Sequence, residues 1–294
     1  MVHFVRLRQG LWSLENPVVL GILNATPDSF YADGRALAEE AFAKADSLIA
    51  DGADWVDVGG CSTRPGSTPT SEEEEWQRIA PVLNYLAKNH PTVPVSVDTY
   101  RAFVAQRALD AGASLINDVS AGLWDPKMAP LVAASQVPYI AMHHQGRPDA
   151  MQVAPQYTQV VQEVFGFFAQ RLGELRSLGI NDVLLDPGFG FGKTAEHNFN
   201  LLDQLEVFHA LGCPLLVGVS RKSMIYKSLD TTPEFALNGT TAAHAWALDR
   251  GAHVLRVHDP KAAQETVRLH QLLTASRAPH ALPTARLSRP SSVG

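Results

Sequence analysis

What most constrains this chain is a pattern that recurs without any recurring sequence. Eight short apolar or β-branched runs, at residues 18–23, 55–58, 93–97, 115–116, 139–142, 183–185, 215–219 and 254–257, return at intervals of roughly 35 residues. Amphipathic stretches at helical spacing lie between them, such as ALAEEAFAKADSLIADG (36–52) and TSEEEEWQRIAPVLNYLAKN (70–89). In the second, Ser71 and Glu74 have capping-box spacing, and the acid run suits the positive end of a helix dipole. YTQVVQEVFGFFAQRLGELRSLG and HNFNLLDQLEVFHALG continue the alternation. Strands joined by helix-length crossovers pair in parallel. Eight such units predict a closed (β/α)8 barrel of the TIM type, one α/β domain over residues 1–276, rather than an open doubly wound sheet. The Pro- and Ser-rich segment 277–294 is expected to be a disordered tail.

The ends of the runs are polar. Asn24, Asp57, Asp98, Asn117 with Asp118, His143, Asp186, Lys222 and His258 each fall at or just beyond an apolar run. In a parallel barrel every strand's carboxyl end opens on one rim, so these tips predict a single, chemically mixed site there.

One of these tips opens DPGFGFGKT (186–194), which looks at first like a phosphate-cradling loop. A Walker loop ending at Gly192-Lys193-Thr194 needs glycine at position 187, which is Pro187, and the G-x-G-x-x-G interval is missing too. The glycines are instead expected to let backbone approach a ligand closely, with Phe189 and Phe191 walling an aromatic ring. Asp186 would accept two N–H bonds from an amino-substituted heterocycle.

The formal charge of −6 and the lack of any long Lys/Arg cluster argue against broad nucleic-acid or membrane-surface binding. An anionic ligand would therefore need a local basic pocket. Cys61 and Cys213 have neither metal-ligand spacing nor a disulfide framework, and Cys213 reads as a small buried hydrophobe. Adjacent His143 and His144 would face opposite sides of a strand and make a poor chelating pair. No Ser-His-Asp or Cys-His nucleophile arrangement stands out. With no secretory leader pattern and no long apolar run, the chain is expected to be cytosolic.

Eight ordered motifs, GILNATPDSF (21–30), DVGGCSTRPGS (57–67), SVDTY (96–100), INDVSAG (116–122), AMHHQGRP (141–148), LLDPGFGFGK (184–193), VGVSRKSMI (217–225) and LRVHDP (255–260), resemble dihydropteroate synthase. The resemblance implies a barrel, usually a homodimer, acting in folate biosynthesis. There it would join 6-hydroxymethyl-7,8-dihydropterin diphosphate to 4-aminobenzoate and release diphosphate, with sulfonamides competing for the 4-aminobenzoate site. It further implies a pterin pocket of Asp98, Asn117, Met142, Asp186, Gly190, Phe191 and Lys222. The diphosphate would meet Asn24, Thr63, Arg64, Arg256 and His258, with Asn24 also a ligand of Mg2+. The 4-aminobenzoate would lie among Phe30, Asp33, Thr63, Arg64, Pro65, Phe191, Lys222 and Ser223. Lys222, Arg256, His258 and Asp98 form the implied catalytic set. In the family the C–O bond breaks first, leaving a cation-like pterin that the aryl amine captures, while loops after the first two strands exclude water.

The chain departs from the family pattern in two places. Cys61 replaces the glutamate of the usual Gly-Gly-Glu-Ser-Thr-Arg-Pro-Gly loop, and the first loop carries an extra residue near Ala32. Two alternatives bind a similar ring: a methyltetrahydropterin-dependent corrinoid methyltransferase and a non-catalytic pterin-binding paralogue. The first has no diphosphate to expel, and the second should have lost the basic set or the metal ligand.

Overall fold

The structure, a computed structural model, describes residues 2–25, 34–61, 70–146 and 155–277. An antiparallel hairpin comes first, β1 (Phe4–Leu7) and β2 (Gly10–Ser13). The eight expected runs follow as β3 (Val18–Asn24), β4 (Trp55–Gly59), β5 (Val95–Asp98), β6 (Leu115–Asp118), β7 (Tyr139–Met142), β8 (Val183–Asp186), β9 (Leu216–Val217) and β10 (Val254–Val257). They pair in parallel in the order β8-β7-β6-β5-β4-β3-β10-β9. A parallel bridge between Leu185 and Leu215 completes the ring, supported by a 2.9 Å bond from the Leu185 N–H to the Pro214 carbonyl. The expected (β/α)8 barrel is therefore present. Strand β5 starts two residues late because Pro94 has no N–H for the ladder.

The helices are α1 (Gly34–Ala50), α2 (Glu72–Asn89), α3 (Ala102–Asp110), α4 (Met128–Ser135), α5 (Val160–Ser177), α6 (Ala195–Asp203), α7 (Ser223–Tyr226), α8 (Leu237–Asp249) and α9 (Pro260–Arg277). Their termini follow local chemistry. Ser71 Oγ caps α2 by accepting the Glu74 N–H at 3.2 Å, but the Glu74 carboxylate takes Arg78 at 2.6 Å instead of closing the expected box. The reciprocal box forms at α6, between Thr194 and His197. None of the described helices is long and apolar enough to cross a membrane.

Two apolar sets divide the strands by parity. Inside the barrel, Val18, Leu20, Trp55, Leu115, Ile140, Leu184, Leu216 and Val254 pack with Val5, Leu7 and Leu14. The hairpin thus plugs the barrel floor, with Trp12 edge-on to Trp55 at 5.9 Å. Outside, Val19, Val56, Val97, Ile116, Leu185, Val217 and Leu255 pack against the helices. Burying each of these aliphatic chains stabilises the fold by about 1.5–3 kcal/mol, the main force seating helices on the sheet. With the floor sealed, the rim at the strands' carboxyl ends is left to carry chemistry. The 277–294 segment lies almost wholly outside the described residues.

Candidate active site

Side chains alternate along a strand, so the inward series that builds the floor continues upward at every second residue. Above Trp55 comes Asp57, above Leu115 comes Asn117, above Ile140 Met142, above Leu184 Asp186, and above Val254 first Arg256 and then His258. These side chains meet across the mouth. Arg256 donates from Nε to Asp57 Oδ2 at 2.6 Å and from Nη2 to Asp98 Oδ2 at 2.8 Å. Asn117 donates from Nδ2 to the same Asp57 oxygen at 3.0 Å. A Cβ placed on Gly59 would lie 3.6 Å from Asn24 Oδ1 and 3.8 Å from Asp98 Oδ2. One placed on Gly218 would lie 3.8 Å from both Lys222 Nζ and Arg256 Cβ. Asn24, Asp98, Asn117, Asp186, Lys222 and Arg256 therefore share one rim, with Met142 buried beneath it.

The same parity removes two expected tips. Asp118 turns outward, where its carboxylate accepts from Tyr139 Oη at 2.7 Å, Ser120 Oγ at 2.8 Å and the Gly122 N–H at 2.9 Å. His143 is also outward, edge-on to Phe167 at 4.9 Å, and its imidazole is held neutral by burial with a pKa of about 2. His144 goes the other way, edge-on to Trp124 at 4.7 Å, so the pair does not chelate.

The glycine-rich turn after β8 is held from both sides. Asp186 Oδ1 accepts the Gly188 N–H at 2.8 Å, and Gly190 donates to Asn198 Oδ1 at 2.8 Å. Lys193, only 3% exposed, donates to the Gly188 carbonyl at 2.9 Å, the Phe191 carbonyl at 3.1 Å and His143 Nδ1 at 2.9 Å. Lys193 therefore pins the turn from behind, a role its motif did not suggest. From the front, Lys222 Nζ reaches the Phe189 carbonyl and lies 4.6 Å over the Phe191 ring. Phe191 is half-buried beside the mouth, whereas Phe189, expected to wall it, is wholly buried in the outer core.

Electrostatically the mouth is a balanced cluster. Burial raises the Asp186 pKa and pushes Asp98 up to about 7, with the Asp57 charge adding to the second shift and Arg256 opposing it. Burial lowers Lys222 to about 8 against the pull of Asp186, and lowers Lys193 to about 7. The His258 backbone N–H donates to Ser220 Oγ at 3.2 Å, and its ring Nδ1 lies 3.1 Å from the same hydroxyl, which fixes the ring's orientation at the rim. Lys222 itself is aimed by its neighbour. Arg221, at φ +52°, forks onto both Asp259 oxygens at 2.7 and 2.9 Å, tying the β9 turn to the end of β10. Ser223 opens α7 beside it, half-buried.

Phe30, Asp33, Thr63, Arg64 and Pro65 lie outside the described residues. The roots of the second loop are visible. Arg78 binds the Gly60 carbonyl at 3.1 Å and Thr70 Oγ1 at 3.3 Å, while Arg101 pairs with the buried Glu75 and the Thr70 carbonyl. Cys61 sits among them, its thiol pushed up by burial and then by the Glu75 charge. Two arginines thus fasten the loop's ends where the family glutamate is missing.

A family model described as "Pterin binding enzyme" matches residues 20–258. Dihydropteroate synthase of Escherichia coli (strain K12) is 43% identical over 259 residues, spanning 87% of this chain and 91% of that one. The solved Xanthomonas albilineans dihydropteroate synthase with 4-aminobenzoic acid superposes with TM-score 0.87 at 39% identity, covering 94% of this chain and 99% of that one. The Yersinia pestis dihydropteroate synthase with a sulfonamide drug complex superposes at 0.88 and 38% identity, covering 93% and 100%.

Proposed function

The chain belongs to the dihydropteroate synthase family, and on that premise we propose how its rim performs the transfer of a pterinylmethyl group from 6-hydroxymethyl-7,8-dihydropterin diphosphate to 4-aminobenzoate. The observation that carries the proposal is the meeting of Asp98, Asn117, Asp186, Lys222 and Arg256 at one mouth. The 2-amino-4-oxo edge of a pterin presents N–H donors to Asp186, and Asn117 and Lys222 serve its ring nitrogens and carbonyl. Met142 and Phe191 pack against the ring. A wrong heterocycle would leave these buried groups unpaired, which gives strong discrimination.

The diphosphate lies toward Asn24 and His258, and the family resemblance assigns Thr63 and Arg64, outside the described residues, to it as well. Arg256 enters this site already bonded to Asp57 and Asp98, so it acts as a fixed donor plate rather than a free cation. The Asn24 side-chain oxygen at the rim is a hard donor of the kind Mg2+ takes when it binds through few protein ligands and the substrate's own phosphates. Bound there, Mg2+ would neutralise charge on the departing diphosphate. His258 and Lys222 help hold that charge, and Phe191 shields the electron-rich ring from water. The 4-aminobenzoate then sits against Lys222, Ser223 and Phe191, and the family resemblance adds Phe30, Asp33 and Pro65, which lie outside the described residues. Sulfonamides, bound by the Yersinia pestis relative, compete at that subsite.

The enzyme is further proposed to work as a homodimer in the cytoplasm. Helices α8 and α9 carry exposed Trp246, Leu269, Leu272 and Leu273, a face that a second copy would cover. Cys61 and Cys213, one part-buried and one buried, form no disulfide, in keeping with a reducing compartment. The deciding experiment is a coupled assay for diphosphate release that requires both 4-aminobenzoate and Mg2+. Lys222→Ala and Arg256→Ala should each abolish turnover while leaving the protein folded, and full activity in both would overturn the assignment.

A further inference from the structure

We propose that Asp57 is a positioning residue for this transfer, one carboxylate oxygen setting both the plane of Arg256 and the orientation of the Asn117 amide. The role rests on the pterin-diphosphate chemistry proposed above. Asp57 sits inward on β4, wholly buried, at the centre of the mouth. Its Oδ2 accepts from Arg256 Nε at 2.6 Å and from Asn117 Nδ2 at 3.0 Å. Its Oδ1 has no hydrogen-bond partner among the described residues, so the contacts at Oδ2 alone orient both neighbours.

A carboxylate ion-paired to a guanidinium accepts and does not donate, so the amide group facing it must be the NH2. The Asn117 carbonyl oxygen is thereby turned away from Asp57, ready to accept an N–H from the ring edge. Without Asp57 the amide is free to rotate by half a turn and present a donor instead. Arg256 is constrained in the same way. Asp57 on β4 and Asp98 on β5 hold its Nε and Nη2, so the planar guanidinium crosses the mouth at one tilt. With only Asp98 left, it pivots about a single contact. Asp57 touches no reacting atom in this scheme. It links the group that reads the ring to the group that faces the leaving side.

The test compares Asp57→Ala and Asp57→Asn with the unmodified enzyme. Asp57→Ala should raise KM for the dihydropterin diphosphate about tenfold or more and change KM for 4-aminobenzoate less than about twofold. Calorimetry with two non-reacting rings reads the amide directly. The preference for 6-hydroxymethylpterin over its 2,4-dioxo counterpart, in which the 2-amino donor becomes an acceptor, should narrow at least about fivefold in Asp57→Ala. A residue that merely stabilised the barrel would lower both affinities together and leave the ratio intact. Asp57→Asn keeps the shape and an acceptor oxygen, so it should fold, fall between the two in KM, and carry the test if the alanine variant does not fold. Unmodified enzyme that releases no diphosphate overturns the transfer chemistry and this role with it. Active enzyme whose Asp57 variants keep the KM values and the ring preference within twofold overturns the role alone.

Discussion

Replacing Gly188 by alanine tests how the glycine-rich turn after β8 is held. Gly188 has φ +71°, and a methyl group there would lie 1.8 Å from the His143 carbonyl oxygen and 3.3 Å from Lys193 Nζ. The left-handed conformation alone costs an alanine about 1–2 kcal/mol. The overlap cannot be relieved by a rotamer change, because its target is backbone. The turn must lift away from β7, which strains the charge-assisted Lys193 bond to the Gly188 carbonyl, worth about 1.5–3 kcal/mol. Together these predict a loss of roughly 2.5–5 kcal/mol, no larger than the lower end of the roughly 5–15 kcal/mol typical of a folded domain. The variant should therefore fold, with its urea midpoint lowered and its Asp186–Phe191 wall displaced. KM for the pterin substrate should rise accordingly. Gly166→Ala is the control: that glycine is exposed within α5 with nothing within 4 Å, so alanine should add up to about 1 kcal/mol and leave KM alone. A Gly188→Ala protein within 1 kcal/mol of the parent, with unchanged KM, would refute the account of the turn.

Three further outcomes follow from the same geometry. Lys193→Met leaves the Phe191 carbonyl and His143 Nδ1 without their buried donor, and should cost about 2–4 kcal/mol by denaturant unfolding with a raised pterin KM. Arg221→Ala unties the β9 turn from Asp259, and should cut kcat through Lys222 more than it lowers the melting temperature, a split visible by comparing kinetics with calorimetry. Acid should weaken the fold through His244 on α8, which burial holds neutral with a pKa of about 4. Below its ordinary 6.5 the unfolded chain takes up a proton that the folded chain refuses until about 4, so stability falls as pH drops through that window. Unfolding free energies from urea titrations at pH 7.5 and 5.0 should differ by about 2 kcal/mol from this residue, and His244→Leu should remove that part of the slope.

Much of this was readable from the chain alone. Eight runs with polar ends announced a parallel barrel and a rim site, because crossover spacing and strand-end chemistry are local properties. Asn24, Asp98, Asn117, Asp186, Lys222 and Arg256 were all nameable before any coordinates. Lys193 was visible in its motif but assigned to nothing, since the carbonyls it holds belong to a turn whose shape only appears once folded.

Asp118 and His143 show where sequence stops. A strand of a parallel barrel is buried on both faces, so its residues are apolar without alternation and carry no signal of phase. Which of Asn117 and Asp118, or Met142 and His143, looks inward is decided by register against neighbouring strands, and only the closed ring sets that. The N-terminal hairpin is a second case: it is too short to read as part of a barrel, yet it seals the floor. The state of Arg256 is the third. Its bond to Asp57 spans 199 residues, and no local pattern could have shown that the site's arginine arrives already held by two carboxylates.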